Sequence, residues 1–187
     1  MDSTLVNNNL QAIYSFVYDE SFCNIDDNDE ALLDKHVKLQ KAIYLLQESG
    51  VPSCGSFYFT WDKLGPYSPE LGEKVKEIRE GEADCSEINS SELFSVNEQK
   101  KLTLLKCLLN LEANDSNSFP RTNYDQRLWA ELVGSIHFLK TYVFLFDDDE
   151  TINKKLRQVK SHLSKIESSV FNYAWECLRN VNMLSAA

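Results

Sequence analysis

The chain has 187 residues, with 19 Lys and Arg against 29 Asp and Glu and a formal net charge of −10 when histidine is neutral. That length suits a single domain spanning 1–187 with enough chain to bury a core, and 43% hydrophobic with 26% charged residues is the make-up of an ordinary globular domain. The acidity counts against a general phosphate-backbone binder, which needs clustered Lys and Arg, but not against a local basic face.

The N-terminus has neither the basic n-region nor the continuous apolar h-region of a secretory leader. No apolar run approaches the ~18 residues needed to cross a bilayer; the longest, 141–146, stops at Asp147. The expectation is a cytoplasmic protein without membrane contact. Cys23, Cys54, Cys85, Cys107 and Cys177 are odd in number and scattered, which fits free thiols and neither a disulfide framework nor a CxxC metal site. Cys107 lies among Leu104, Leu105, Leu108 and Leu109 and is expected to be a small buried hydrophobe.

In chain order, residues 5–18 read as a helix, with Leu10, Ile13, Tyr14, Val17 and Tyr18 on one stripe. An acidic connector follows: Asp19, Glu20, Asp26, Asp27, Asp29, Glu30 and Asp34 precede any cation. It reads as a solvated loop, with an acidic binding surface as the alternative. Residues 29–49 form a second helix capped by Asn28 or Asp29. Its buried face is expected at Leu32, Leu33, His36, Leu39, Ile43 and Leu46, and Gly50 and Pro52 stop it. The aromatic run 57–61 suits a short strand or an extended core segment. Gly65, Pro66, Ser68 and Pro69 make a turn, and Ser68 caps a helix over 69–79 with Leu71, Val75 and Ile78 inward.

A polar excursion covers 81–94. A helix over 96–111 is capped by Asn97 or Ser95, and a Ser/Asn-rich loop occupies 114–123. The most hydrophobic helix is expected over 127–146, with Leu128, Leu132, Ile136, Leu139 and Val143 on one face and the acids 147–150 closing it. Residues 151–165 read as a basic amphipathic helix burying Ile152, Leu156, Val159 and Leu163. A last helix over 168–183 is built around Val170, Phe171, Ala174, Trp175 and Leu178. The fold class is therefore mainly α: a compact single domain of six or seven helices with at most a short β-hairpin or extended aromatic segment.

The pattern offers no strong catalytic constellation. His36, His137 and His162 stand alone in their helices, outside HxxxH or HExxH spacing, so no metal or cofactor is expected. His137 sits beside an apolar face and reads as a hydrogen-bonded core or boundary histidine. GxSxG, GxGxxG and GxxxxGK[ST] are all missing; Gly134-Ser135 lies mid-helix, where Gly134 allows close packing. Acids at a helix C-terminus oppose the dipole, so 147–150 reads as a wet loop. A hydrolase or nuclease would have to draw on Glu131, His137 or Asp147, Asp148 and Asp149. Lys154, Lys155, Arg157 and Lys160, with His162 and Lys165 nearby, are either a solvated helix face or candidate nucleic-acid contacts.

The most distinctive stretch reads V-K-L-Q-K-A-I-Y-L-L-Q-E-S-G-V-P from Val37, then F-Y-F-T-W-D-K-L-G-P-Y-S-P-E-L from Phe57. Gly65 gives conformational latitude, the prolines restrict φ, and Tyr67 can pack under the turn. This stretch resembles the YwgA-like proteins and the broader SocA-like antitoxin, or Panacea, domain, whose pattern is roughly KLQKLVYLL, an aromatic F-x-W or F-x-Y, then GP-Y-S-P-E-L. Residues 38–46, 59–61 and 65–71 carry the likeness. A later block, Trp129 to Leu139, is similar to their W-x-E-L-x-x-S-I-x-[YF]-L helix, and together the blocks span a motif core of 37–140. Lys63 and Leu64 depart from the usual aromatic and polar residues before Gly-Pro.

The resemblance implies a compact helical domain without known catalysis. Such a domain acts as an antitoxin-like module or accessory subunit that binds and regulates a toxin or defence effector, often the product of an adjacent gene. The candidate partner-binding residues are Lys38, Gln40, Lys41, Tyr67, Ser68 and Glu70, with a purely architectural role as the alternative. Acids gather before Lys35 and at 147–150 and cations after Lys154, which makes acidic segments candidate docking sites for a basic protein.

Overall fold

The computed structural model describes residues 3–22, 29–80, 93–110 and 125–184. Cys23, Cys85, Asp26, Asp27, the expected cap Asn28, most of the polar excursion and the Ser/Asn-rich loop lie outside these residues. The described chain is mainly α. Its helices are α1 (Ser3–Tyr18), α2 (Asp29–Glu48), α3 (Pro69–Glu80), α4 (Val96–Leu109), α5 (Gln126–Phe138), α6 (Asp149–Val159) and α7 (Ser168–Asn180). One antiparallel hairpin joins β1 (Thr60–Asp62) to β2 (Gly65–Tyr67), with Trp61 opposite Pro66. The aromatic run thus supplies one strand, and the Gly-Pro segment is the other strand rather than the turn.

Helices α2 and α5 form the central pair. Helix α5 is buried on every side from Trp129 to Phe138, its polar Glu131, Ser135 and His137 included. Around this pair, α1 packs on α4 and α2, α7 packs on α5, and the hairpin lies against both central helices. One hydrophobic cluster takes side chains from all seven helices. In α1 the whole expected stripe, Leu10, Ile13, Tyr14, Val17 and Tyr18, is buried; each such side chain stabilises the fold by about 1.5–3 kcal/mol. The indole of Trp129 donates to Leu108 O at 2.8 Å, tying α5 to α4. The Trp175 indole reaches Asn153 Oδ1 at 2.9 Å, tying α7 to α6.

The helix ends are built by local chemistry. Gly50, at φ +74°, lets α2 close with Val51 N donating to Leu46 O and Gly50 N to Gln47 O, a Schellman motif. Ser68 Oγ accepts from Leu71 N at 3.3 Å, as its cap role with Pro69 requires. Ser95, rather than Asn97, caps α4 in a reciprocal capping box with Glu98. Glu98 also accepts from Ser53 N at 3.2 Å, so one carboxylate joins the α4 start to the 3-10 turn Pro52–Cys54.

Several expectations are corrected. Helix α5 stops at Phe138 and gives way to a π turn, Leu139–Val143, whose extra residue rotates the following side chains outward; Val143 is exposed rather than buried. The acids 147–150 do not close a helix but open one. Asp148 caps α6 through Thr151 N at 2.7 Å, and Asp149 and Glu150 occupy its first turn, where the dipole favours them. The basic helix ends at Val159, which is exposed, and Ser161–Lys165 is a separate 3-10 turn. Leu33 and Cys107 face solvent. Helix α4 is apolar on more than one side, and Leu102, Leu105, Leu108 and Leu109 take the core. No helix among the described residues is long and apolar enough to cross a membrane.

Burial raises the Glu98 carboxyl, but the hydrogen bonds from Ser53 and Ser95 outweigh it and bring the pKa down to about 2. An unfolded Glu titrates near 4.3. The stability this carboxylate contributes is therefore present above that value and lost as pH falls toward 2. Ser95→Ala is expected to cost about 1 kcal/mol by urea denaturation at pH 7. Glu98→Gln is expected to flatten the loss of stability between pH 5 and pH 2; equal acid sensitivity in wild type and Glu98→Gln would refute the assignment.

Candidate functional site: a buried polar cluster behind the hairpin

Helix α2 turns Gln40 and Lys41 toward the hairpin, and both are buried. The Gln40 amide behaves like a short piece of strand. Its Nε2 donates to Ser68 O at 2.9 Å and its Oε1 accepts from Ser68 N at 3.0 Å, pairing both backbone groups that follow β2. One residue on, Lys41 Nζ donates to Pro66 O at 2.8 Å. Gly65 permits this approach: its φ is +92°, and a Cβ there would lie 2.6 Å from Ser135 Oγ and 3.4 Å from Lys41 Cε. Gly134 does the same from α5, where a Cβ would meet Lys41 Cδ at 3.1 Å.

The other half of the cluster comes from α5 and the end of α6. Glu131, 2% exposed, accepts from Lys160 Nζ at 2.6 Å and lies 2.9 Å from His162 Nε2. Lys160, 3% exposed, also donates to Lys63 O at 2.7 Å, and its ammonium sits 5.0 Å from the Trp61 ring centre. Two lysines and one glutamate thus meet three backbone carbonyl or ring partners in the interior. The Ser135 hydroxyl is buried nearby and, among the described residues, has no hydrogen-bond partner.

Desolvation dominates the electrostatics. Burial lowers the Lys41 pKa to about 7, helped by the Lys160 charge and opposed by Glu131 and Asp62. Burial also lowers Lys160, against the pull of Glu131. A lysine near 7 has the acidity a general base or Schiff-base amine needs. Lys41 is 1% exposed, however, and its amine is turned onto Pro66 O, so it faces the chain itself. The cluster works as a weld between α2, α5, α6 and the hairpin.

The six candidate partner-binding residues therefore divide. Lys38, Gln40, Lys41 and Ser68 are buried; Lys38 pairs with Glu20 and Asp34, each at 3.0 Å. Tyr67 is half-buried beside the His36 ring, and only Glu70 is exposed. Of the four candidate nucleic-acid contacts, Lys154 is exposed. Lys155 is bound to Asp147 at 2.5 Å over the Phe144 ring, and Arg157 lies over Phe171 while bonding Ser168 Oγ at 3.3 Å. Lys160 points inward.

His137 is a core histidine, 3% exposed. Its Nδ1 lies 2.7 Å from the Tyr44 hydroxyl and it holds the Met183 backbone, with burial lowering its pKa to about 4. Glu131 pairs across 29 residues with Lys160 and not with His137. Asp149 is paired with Arg179. Among the described residues no cluster of three His, Cys, Asp or Glu could hold a metal. The Glu131–Lys160 pair was missed from the sequence, although Lys160 continues the four-residue steps of Ile152 and Leu156 onto the buried face.

No protein-family model, curated protein or solved structure matches the chain.

Removing one partner of a buried ion pair leaves the other uncompensated. Glu131→Gln is expected to destabilise the protein by about 3–5 kcal/mol in urea unfolding, while the double change Glu131→Leu with Lys160→Met recovers most of that loss. Additive effects would show that the pair is not coupled. Lys41 gives a pH signature. Unfolded, it titrates near 10.4; folded, near 7. Between these values the unfolded chain holds the extra proton, so this group makes stability rise with pH and its burial cost is greatest below 7. The stability difference between wild type and Lys41→Met, followed by urea unfolding from pH 7 to about 9.5, is expected to shift toward wild type as pH rises. A pH-independent difference would sink the assignment.

Proposed function

We propose that the protein is a non-catalytic protein-interaction module, an antitoxin-like or accessory subunit of a prokaryotic toxin–antitoxin or anti-phage defence system. In this role it binds and regulates an effector protein. The observation that carries this reading is the use of the most distinctive sequence block. Gln40, Lys41, Gly65, Pro66 and Ser68 lock the hairpin onto the helical core, building a stiff scaffold whose chemistry is turned inward. The likeness of 37–140 to the Panacea domain supports it, as does an acidic chain suited to basic, nucleic-acid-directed partners. The alternative, a nucleic-acid-binding regulator using α6, has weaker support. Lys160 is buried, and Lys155 and Arg157 already hold groups of their own chain.

The test is co-expression with the products of the genes flanking its own. A stoichiometric complex on size exclusion, with the neighbour's toxic or nuclease activity suppressed, is the expected result. A chain that joins none of these products and leaves their activities unchanged would overturn the proposal. Salt-dependent nucleic-acid binding lost on Lys154→Gln would favour the alternative.

A further inference from the structure

The two edges of the hairpin are treated differently. In an antiparallel ladder, residue pairs alternate between those that exchange hydrogen bonds and those whose N–H and C=O point away from the partner strand. Trp61 stands opposite Pro66, which has no N–H to give. Lys41 Nζ meets Pro66 O from outside the ladder, so this is an outward-pointing pair. Trp61 therefore turns its own N–H and C=O to the outer edge of β1. Two residues earlier, Phe59 continues the register opposite Ser68. Ser68 turns both of its groups outward to Gln40, so Phe59 turns its pair to the same edge as Trp61.

Side chains settle the main-chain groups around this edge but not the edge itself. Gln40 and Lys41 close the β2 side. Gln47 closes Phe57, donating Nε2 to Phe57 O at 3.0 Å and accepting from Phe57 N at 2.9 Å. At the hairpin tip, Lys160 holds Lys63 O. Between Phe57 and Lys63, among the described residues, the N–H and C=O of Phe59 and Trp61 have no hydrogen-bond partner.

The edge is also uncovered. Strand β2 packs on α2 and α5, whereas β1 meets chiefly β2. Tyr58, Thr60, Asp62 and Lys63 are exposed. Buried main-chain groups are almost never left unpaired, so this edge stands open to water.

An open edge is a template for one more strand. Its alternating N–H donors and C=O acceptors are complementary to an extended main chain, and not to a helix, whose own groups are spent internally. Side chains of an added strand would alternate between two faces. Those on the inner face would join Phe59 and Trp61, whose half-buried rings lead into an aromatic row, Trp61 to Phe138 at 5.8 Å and Phe138 to Tyr142 at 5.3 Å. Those on the outer face would stand beside Thr60 and Asp62.

We propose that the outer edge of β1, at Phe59 and Trp61, is a docking site for an extended segment of a protein partner. The segment adds to the hairpin as a third strand, with apolar residues on the inner face and polar residues outward. A second copy of this chain is the poorer occupant. Two molecules of formal charge −10 repel each other, and the charged Asp62 and Lys63 at the end of a short strand blunt edge-to-edge pairing. The proposal rests on the interaction reading above and gives the partner a conformation.

The test follows amide hydrogen exchange by NMR in the full chain, alone and with a short peptide of alternating Val and Thr ending in Lys. In the free chain the Phe59 and Trp61 amides are expected to exchange fast, while that of Tyr67, paired with Thr60 inside the ladder, is protected. With the peptide at millimolar concentration, the Phe59 and Trp61 amides are expected to slow. A version N-methylated at two adjacent central residues, which blocks both of its edges, is expected to bind about tenfold more weakly or worse. Protection of the Phe59 and Trp61 amides in the free monomer, no slowing with the peptide, or equal binding of the methylated peptide would overturn the proposal. So would protection that follows self-association in sedimentation and not the peptide. A flanking-gene product that binds without slowing these two amides sinks this edge and leaves the interaction reading standing. Peptide protection at the edge with no flanking-gene product in complex does the reverse.

Discussion

The salt bridge between Glu131 and Lys160 is the constraint around which the molecule is arranged. Two charges that deep are costly to desolvate. They are tolerated because each finds a second partner, His162 on one side and Lys63 O on the other. Those partners bring the 3-10 turn after α6 and the tip of the hairpin to the same side of α5. Gln40 and Lys41 then close the opposite side from α2. The hairpin is too short to hold itself as two three-residue strands. It persists because its backbone carbonyls are the acceptors that two buried lysines need.

The motif block is best understood in these terms. Lys41 is buried with its pKa lowered to about 7, and its ammonium is met by a proline carbonyl in a strand packed against both central helices. Pro66 has no N–H to pair, and Gly65 has no Cβ to obstruct α5. Each residue type in the stretch solves a steric or hydrogen-bonding problem set by its neighbour. The large apolar side chains that the molecule shows to solvent lie elsewhere, four of them between Tyr142 and Phe146.

Much of the fold was legible in the sequence. The α1 stripe and the α7 core positions follow a 3.6-residue period and are all buried as expected. Ser68 before Pro69 announced its cap. The region after Phe138 was not legible. Leu139 to Phe146 remains apolar in composition, so hydrophobicity continues the helix while the backbone has inserted a residue and turned the pattern outward. That misplaced end then made the acids 147–150 look like a helix terminus opposing its dipole, when Asp148 is the cap of the next helix. The polar cluster was hidden for a different reason. Its groups lie on four elements, and Lys160 looked like one more cation on a basic face, with no spacing rule joining the side chains of positions 41, 131 and 160 to the Lys63 carbonyl.

The sequence separation within that cluster also sets an order of events during synthesis. Glu131 is committed to the interior by the apolar residues around it on α5, yet its cationic partner lies 29 positions later. Until Lys160 has left the ribosome, a nascent chain that packed α5 against α2 would hold that carboxylate in its core without its salt bridge. Docking of the central pair before α6 is available is therefore disfavoured by the desolvation of Glu131, which only Lys41 of α2 then offsets.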